Sequence, residues 1–210
     1  MANTGSFKFV LIAICCICAN FVFGQSNCFD QCWTQFDRSR KPTQSSNNPE
    51  VLEMIEMNHR ILQGLVGCKA PAFAVETIDG MGFSLEKHRG KIVVLSFWFT
   101  TCEPCVYELP GLNKLVKEFA DKNVSFLAIA RNDRDEVMRF NSNHEYAYAH
   151  ALSSEELQRR YCLMGGWPMN MVIDGEGILR YVKTGGPVPP NGNPLQPYLE
   201  MKPVIEKYIR

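Results

Sequence analysis

The segment Lys91–Cys105, KIVVLSFWFTTCEPC, decides the fold. Its first nine residues are apolar at nearly every position. That is the pattern of a central strand covered on both faces, not of an edge strand with one wet face. The strand runs straight into Cys102-Glu103-Pro104-Cys105. Beyond the motif, Val106, Leu109, Leu112, Leu115, Val116 and Phe119 recur at helical spacing, so the motif opens a helix over 104–120. Pro104 suits the first turn, where its missing N–H would have had no partner. Pro110-Gly111 predicts a kink.

This placement carries chemistry. The N–H groups and the dipole of a helix N-terminus stabilise a thiolate on Cys102. Cys105 lies three residues on, on the same face, so the two sulfurs can bridge. Cys102 is expected to be the exposed attacking thiolate and Cys105 the buried thiol that resolves a mixed disulfide. Glu103 puts a negative charge between the sulfurs and opposes the thiolate. A less stabilised thiolate favours the disulfide, so the pair is expected to lean towards reducing.

Outward from this segment the pattern is mixed α/β. Phe73–Ile78, a turn at Asp79-Gly80 and Met81–Ser84 read as a hairpin. Val124–Ala130 reads as a second buried strand, Asp133–Asn143 as a helix and Tyr146–Leu152 as an extended piece. Ser153–Tyr161 reads as a helix with Ser153 as its cap and Glu156 completing a capping box. Trp167–Ile173 and Ile178–Lys183 are strands joined by Asp174-Gly-Glu-Gly177. A last helix over 194–210 is expected to be interrupted or reset at Pro203. Strands that alternate with helices and finish in a hairpin give a mixed sheet flanked by helices.

The N-terminal part reads differently. Residues 7–23, FKFVLIAICCICANFVF, with Lys8 ahead of an apolar run and Val22-Phe23-Gly24, resemble a signal peptide cleaved after Gly24. The run is short for an uncleaved anchor, which needs ~20 apolar residues. Residues 25–65 are expected to form a helical extension and linker, with 66–210 as the main domain. Cys28, Phe29, Cys32, Trp33 and Phe36 make an apolar helical stripe, and 41–48 a polar linker. Asn48-Pro49-Glu50 then starts a second helix that stops near Gly64 or Gly67. The extension offers a surface for self-association.

Across 210 residues, 22 basic side chains balance 22 acidic ones, which argues against a protein that works by neutralising the phosphates of nucleic acid. Nine cysteines are too few for a disulfide scaffold and more than a cytosolic enzyme usually carries. Three leave with the signal peptide, and the remaining six are compatible with an oxidising compartment.

Gly67-Cys-Lys-Ala-Pro-Ala-Phe73, the hairpin, Ser96–Cys105, Glu108-Leu-Pro110 and Gly166–Gly177 together resemble the TlpA/ResA-type thioredoxin-like proteins, a redoxin-related group of exported thiol–disulfide oxidoreductases. The resemblance covers roughly residues 66–186. It implies a thioredoxin-like fold, reduction of disulfides in client proteins such as apocytochromes awaiting haem, and a membrane dithiol protein as electron donor. It implies no bound cofactor, because the sulfurs carry the electrons. Pro168 matches the family's cis-proline, which faces the CxxC motif and positions substrate backbone. Glu108 matches an acid that assists proton movement and is placed to serve as base for Cys105. Trp98 matches the aromatic residue before the active-site loop, with packing as its main role. Thr101 and Trp167 depart from the residues usual beside the first cysteine and the cis-proline. Both sit where a client would dock, and with Glu103 and Pro104 they make up the expected client contacts.

The same residues admit other readings. A zinc site would need two further ligands, and His59, His88, His144 and His150 form no pair. A peroxiredoxin-like peroxidase shares the Ala-Pro-x-Phe entry, but the pattern P-x-x-x-T-x-x-C fails at Leu95 and Phe99. A non-catalytic binding module would carry Cys102 and Cys105 as a structural disulfide. Cys162 reads first as a buried structural cysteine, and otherwise as a third redox thiol or a partner for Cys68. Cys28 and Cys32 are open between a strained link across one helical turn, apolar packing and a bridge to a second subunit.

Overall fold

The computed structural model describes residues 28–39, 49–163 and 166–210. The proposed signal peptide, the linker at 41–48 and the expected cap Asn48 lie outside the described residues. Two helices lead the chain, α1 (Cys28–Ser39) and α2 (Pro49–Gln63), followed by a hairpin of β1 (Ala74–Glu76) and β2 (Gly82–Ser84). The central elements are β3 (Ile92–Trp98), α3 (Glu103–Tyr107), α4 (Leu109–Glu118), β4 (Val124–Ala130), α5 (Arg134–Asn143), β5 (Ala149–Leu152) and α6 (Glu155–Arg160). The chain closes with β6 (Met169–Ile173), β7 (Leu179–Thr184) and α7 (Gln196–Tyr208).

The sheet has the order β5-β4-β3-β6-β7. β3, β4 and β5 run parallel, and β6 and β7 are antiparallel to their neighbours. All seven residues of β3 are buried, which matches its unbroken apolar run. Alternate residues feed two cores. Val93, Leu95 and Phe97 face a layer that contains Phe29, Cys32, Leu62, Tyr161 and Met171. Ile92, Val94 and Trp98 face the opposite layer, with Cys105, Leu112, Leu115, Val172, Met201 and Ile205. Trp98 packs against Phe140, Tyr146 and His150 at ring separations of 4.9, 5.1 and 5.8 Å, a packing role as expected. The Asp174 turn is built locally: its Oδ1 accepts from the N–H groups of Glu176 and Ile178 at 2.9 and 3.0 Å.

Several local expectations are corrected. The helix over 104–120 is broken at Glu108 into α3 and α4 rather than merely kinked. The cap of α6 is Ser154, whose Oγ accepts from Leu157 N–H at 3.1 Å, so Ser153 does not cap and Glu156 is one residue short of the capping-box position. α7 runs through Pro203 without interruption. Met201 and Ile205 are fully buried on either side of it, and that packing outweighs the roughly 3 kcal/mol cost of an interior proline.

The extension is bonded to the domain. Cys28 pairs with Cys68 and Cys32 with Cys162. Neither links one helical turn of α1, and Cys162 is bonded to Cys32 rather than carried as a free thiol or joined to Cys68. Cys28 and Cys32 sit at i and i+4 on one face of α1, so one helix face makes both links. Phe29, between them, is 1% exposed and packs edge-on against Tyr161 at 5.7 Å. Cys162 follows the C-cap of α6 with φ of 54°, a left-handed position that helix ends usually fill with glycine.

Peptide mapping without reduction should recover 28–68 and 32–162 linked peptides, and crossed pairs would refute this packing. The double variant Cys32→Ala/Cys162→Ala should lose about 2–5 kcal/mol of stability in urea unfolding, since the link closes a long loop.

Candidate active site

Four backbone features converge on Cys102 and Cys105. β3 delivers the chain to its C-terminal end, and Cys102 N–H bonds back to Phe99 O at 3.1 Å, closing a turn. Asn132, just beyond β4, accepts from Thr100 N–H at 2.8 Å and pins this loop. Its amide is held in turn by Glu136 at 2.9 Å. Cys102 then caps α3: its backbone is extended, and its sulfur accepts from Cys105 N–H at 3.3 Å. The two sulfurs form a disulfide, so the structure represents the oxidised state.

Cys105 is buried as expected, but Cys102 is not exposed; it is only 4% accessible. As cap it turns its sulfur back over the first turn, inside the apolar layer on which Trp167 packs. The exposed groups are its neighbours Thr101 and Glu103, with Pro104 half-buried. Trp167 meets Phe99 edge-on at 5.7 Å, and both rings pack against the layer that contains Cys102 and Cys105. The Trp167–Pro168 bond is cis.

Glu108 occupies the break between α3 and α4 and is 2% exposed. It is no helix-surface acid. Its Oε1 accepts from Asn170 Nδ2 at 2.8 Å, across to β6. Burial in the apolar layer pushes its pKa up from an ordinary 4.5 to about 8, against the lowering effects of the Asn170 hydrogen bond and the Lys183 charge. Gly186 shows how closely these groups converge. A Cβ there would lie 3.0 Å from Glu108 Oε2, 3.1 Å from Pro168 Cγ and 3.3 Å from Pro104 O. The carboxyl, the cis-proline ring and the first turn of the motif therefore surround one glycine. Gly185 N–H also bonds Pro168 O at 2.8 Å, which ties the end of β7 to the proline.

Sequence reasoning missed Asn170 and Gly186. Asn170 had a faint signal, as a lone amide in the apolar run MNMVI; Gly186, in a Gly-Gly-Pro loop, had none. Among the described residues, no group of three or more His, Cys, Asp or Glu is arranged to hold a metal ion.

A helix-capping dithiol pair beside a cis-proline, on this sheet order, defines a thioredoxin-like thiol–disulfide oxidoreductase. The AhpC/TSA family profile matches residues 66–182, and the chain belongs to that family. It is 30% identical over 123 residues to the thioredoxin-like protein YneN of Bacillus subtilis, covering 57% of this chain and 71% of that protein. It is 30% identical over 121 residues to the thiol-disulfide oxidoreductase ResA of Bacillus thuringiensis, covering 56% and 69%. The thioredoxin domain of thiol-disulfide oxidoreductase BVU-2223 from Bacteroides vulgatus superposes with a TM-score of 0.57 at 23% identity, covering 67% of this chain and 97% of that one, and so shares the fold.

The buried carboxyl makes stability depend on pH. Its folded pKa of about 8 exceeds the ordinary 4.5, so the native state binds more protons than the unfolded chain between those values. Its contribution is fully present below the lower value and is lost as pH rises through the upper one. Glu108→Gln keeps an oxygen for Asn170 and cannot ionise. Urea unfolding should show this variant gaining on the wild type from about pH 5 to about pH 8, by at most ~1.4 kcal/mol per pH unit. An unchanged gap would contradict a buried, proton-holding Glu108.

Proposed function

We propose that this protein is exported and reduces disulfides in client proteins. Cys102 as thiolate attacks one client sulfur, forming a mixed disulfide and releasing the other client sulfur as a thiolate. Cys105 gives its proton to the Glu108 carboxylate and attacks Cys102. The Cys102–client bond breaks, the Cys102–Cys105 disulfide forms, and the second client thiolate leaves. The client gains two electrons and the enzyme loses two. Glu108 then releases its proton to the departing thiolate or to water, and a membrane dithiol protein restores the enzyme by the reverse exchange.

The observation that carries this reading is Glu108, buried at the break between α3 and α4, beside the helix that holds Cys105. Its raised proton affinity of about 8 lies close to that of an ordinary thiol, ~8.5, which suits transfer in either direction. Pro168 would hold client backbone against the disulfide, with Trp167, Thr101, Glu103 and Pro104 as the surface around the attacked sulfur.

Export is supported by the apolar N-terminal run, by two disulfides remote from the redox pair, and by the rarity of such bonds in reducing compartments. The division into signal peptide 1–24, extension 25–65 and domain 66–210 belongs to this proposal, as does self-association through the extension. Apocytochromes awaiting haem are the clients proposed.

The mature protein should reduce insulin in the presence of dithiothreitol, and Cys102→Ala should not; equal rates would sink the assignment. Cys105→Ala should trap a mixed disulfide whose partner mass spectrometry identifies. A redox titration should give a potential nearer ~−270 mV than ~−120 mV if Glu103 biases the pair towards reduction.

A further inference from the structure

A row of side chains crosses the whole sheet beneath Glu108. Register aligns His150 of β5 with Ala128 of β4, and Ala128 with Ser96 of β3. It then aligns Ser96 with Asn170 of β6, and Asn170 with Lys183 of β7. Period-two alternation puts these positions on the face that carries α3, α4 and α7. The next row on that face is Phe126, Val94, Val172 and Tyr181, as an apolar layer requires. The polar row is thus a local exception.

The exception is costly. Ser96 is 1% exposed and Asn170 is 4% exposed. Ser96 Oγ lies beside the Tyr146 hydroxyl, and Asn170 Oδ1 and the Tyr148 hydroxyl are buried without a hydrogen-bond partner. Buried polar atoms are normally paired, and an apolar side chain at either strand position would avoid the desolvation cost. In the middle of the row Asn170 Nδ2 donates to Glu108 Oε1 at 2.8 Å, and at its β5 end His150 Nε2 lies 3.1 Å from Tyr146 O. At the row's end, Lys183 Nζ is 2.6 Å from Glu200 Oε1. Glu200 also accepts from Tyr181 OH at 2.5 Å and from Gln196 Nε2 at 2.9 Å. α7 therefore supplies an anion that matches the lysine charge next to the buried acid.

We propose that Asn170 is a positioning residue for Glu108, and that the Lys183–Glu200 pair at the end of the same row sets how firmly Glu108 holds its proton during disulfide exchange. The proposal rests on the reading of Glu108 as the proton carrier for Cys105. An amide in the Asn170 position orients the carboxyl without forcing it to ionise, as a cation there would. The titratable groups whose charge Glu108 feels or influences are Lys183 and Tyr181 from β7, Glu200 from α7, and Tyr146 and Tyr148 from the segment before β5. Burial holds all three tyrosines neutral. The balance is then between Lys183, which favours the carboxylate, and Glu200, which opposes it.

The test uses the reduced protein, with Cys102 converted to its nitrothiobenzoate adduct. Cys105 then expels the coloured thiolate, and the rate is followed against pH. Glu200→Gln should move the profile to lower pH and Asn170→Leu to higher pH, each by roughly half a unit, a threefold change in rate on the acidic limb. In a Glu108→Gln background both displacements should vanish, which a merely structural role would not produce. Should Asn170→Leu not fold, Asn170→Ser and Glu200→Gln carry the same test. Profiles that stay put, or shifts that persist without Glu108, overturn the proposal. If Glu108→Gln alone leaves the wild-type profile unchanged, the reading of Glu108 as proton carrier falls with it.

Discussion

A carboxyl group held out of water against an apolar sheet face is the constraint on which the rest of the active site depends. Isolated burial of a carboxylate is too costly to sustain, so the group must hold a proton, find a donor, or both. Glu108 does both: burial raises its proton affinity, and Asn170 reaches across from β6 to orient it. To bring the acid there, the helix after the CxxC motif breaks at Glu108, and Leu109-Pro110 restarts it as α4. The absence of any side chain at Gly186 leaves room for the carboxyl and the cis-proline ring to approach the motif together.

The two faces of the sheet divide the labour. One face carries the sulfurs, the acid and helices α3, α4 and α7. The other carries α1, α6, the hairpin and both disulfides that join α1 to the domain. Cross-links on the far face can brace the domain without entering the exchange chemistry. Cys32–Cys162 is nevertheless connected to the site through the chain, because Cys162 begins the passage that leads to Trp167 and Pro168. The bond anchors one end of that passage, and Gly185 N–H on Pro168 O anchors the other.

Local patterning is reliable where one signal dominates. β3 and β4 are legible because unbroken apolar runs between turns admit few other readings. The motif after β3 is legible because a strand-to-helix junction fixes where the cysteines stand. Signals of similar strength read less well. Ser153 and Ser154 are adjacent and equally able to cap, and only the backbone decides for Ser154. Pro203 favours a break locally, yet the burial of Met201 and Ile205 carries α7 through it. The attacking role proposed for Cys102 implies an exposed sulfur, but a helix cap turns its side chain inward.

The sequence by itself determined the strand–helix alternation, the position of the dithiol motif and the candidates Glu108 and Pro168, because these rest on residue type and spacing along a short stretch of chain. Only the tertiary structure decided the cysteine pairing, the burial of Glu108, the part played by Asn170 and Gly186, and the row that ends in Lys183 and Glu200. Those depend on which strands lie side by side and in what register. Asn170 stands opposite Ser96 and Lys183, and 62 residues along the chain from Glu108, a proximity that local periodicity does not encode.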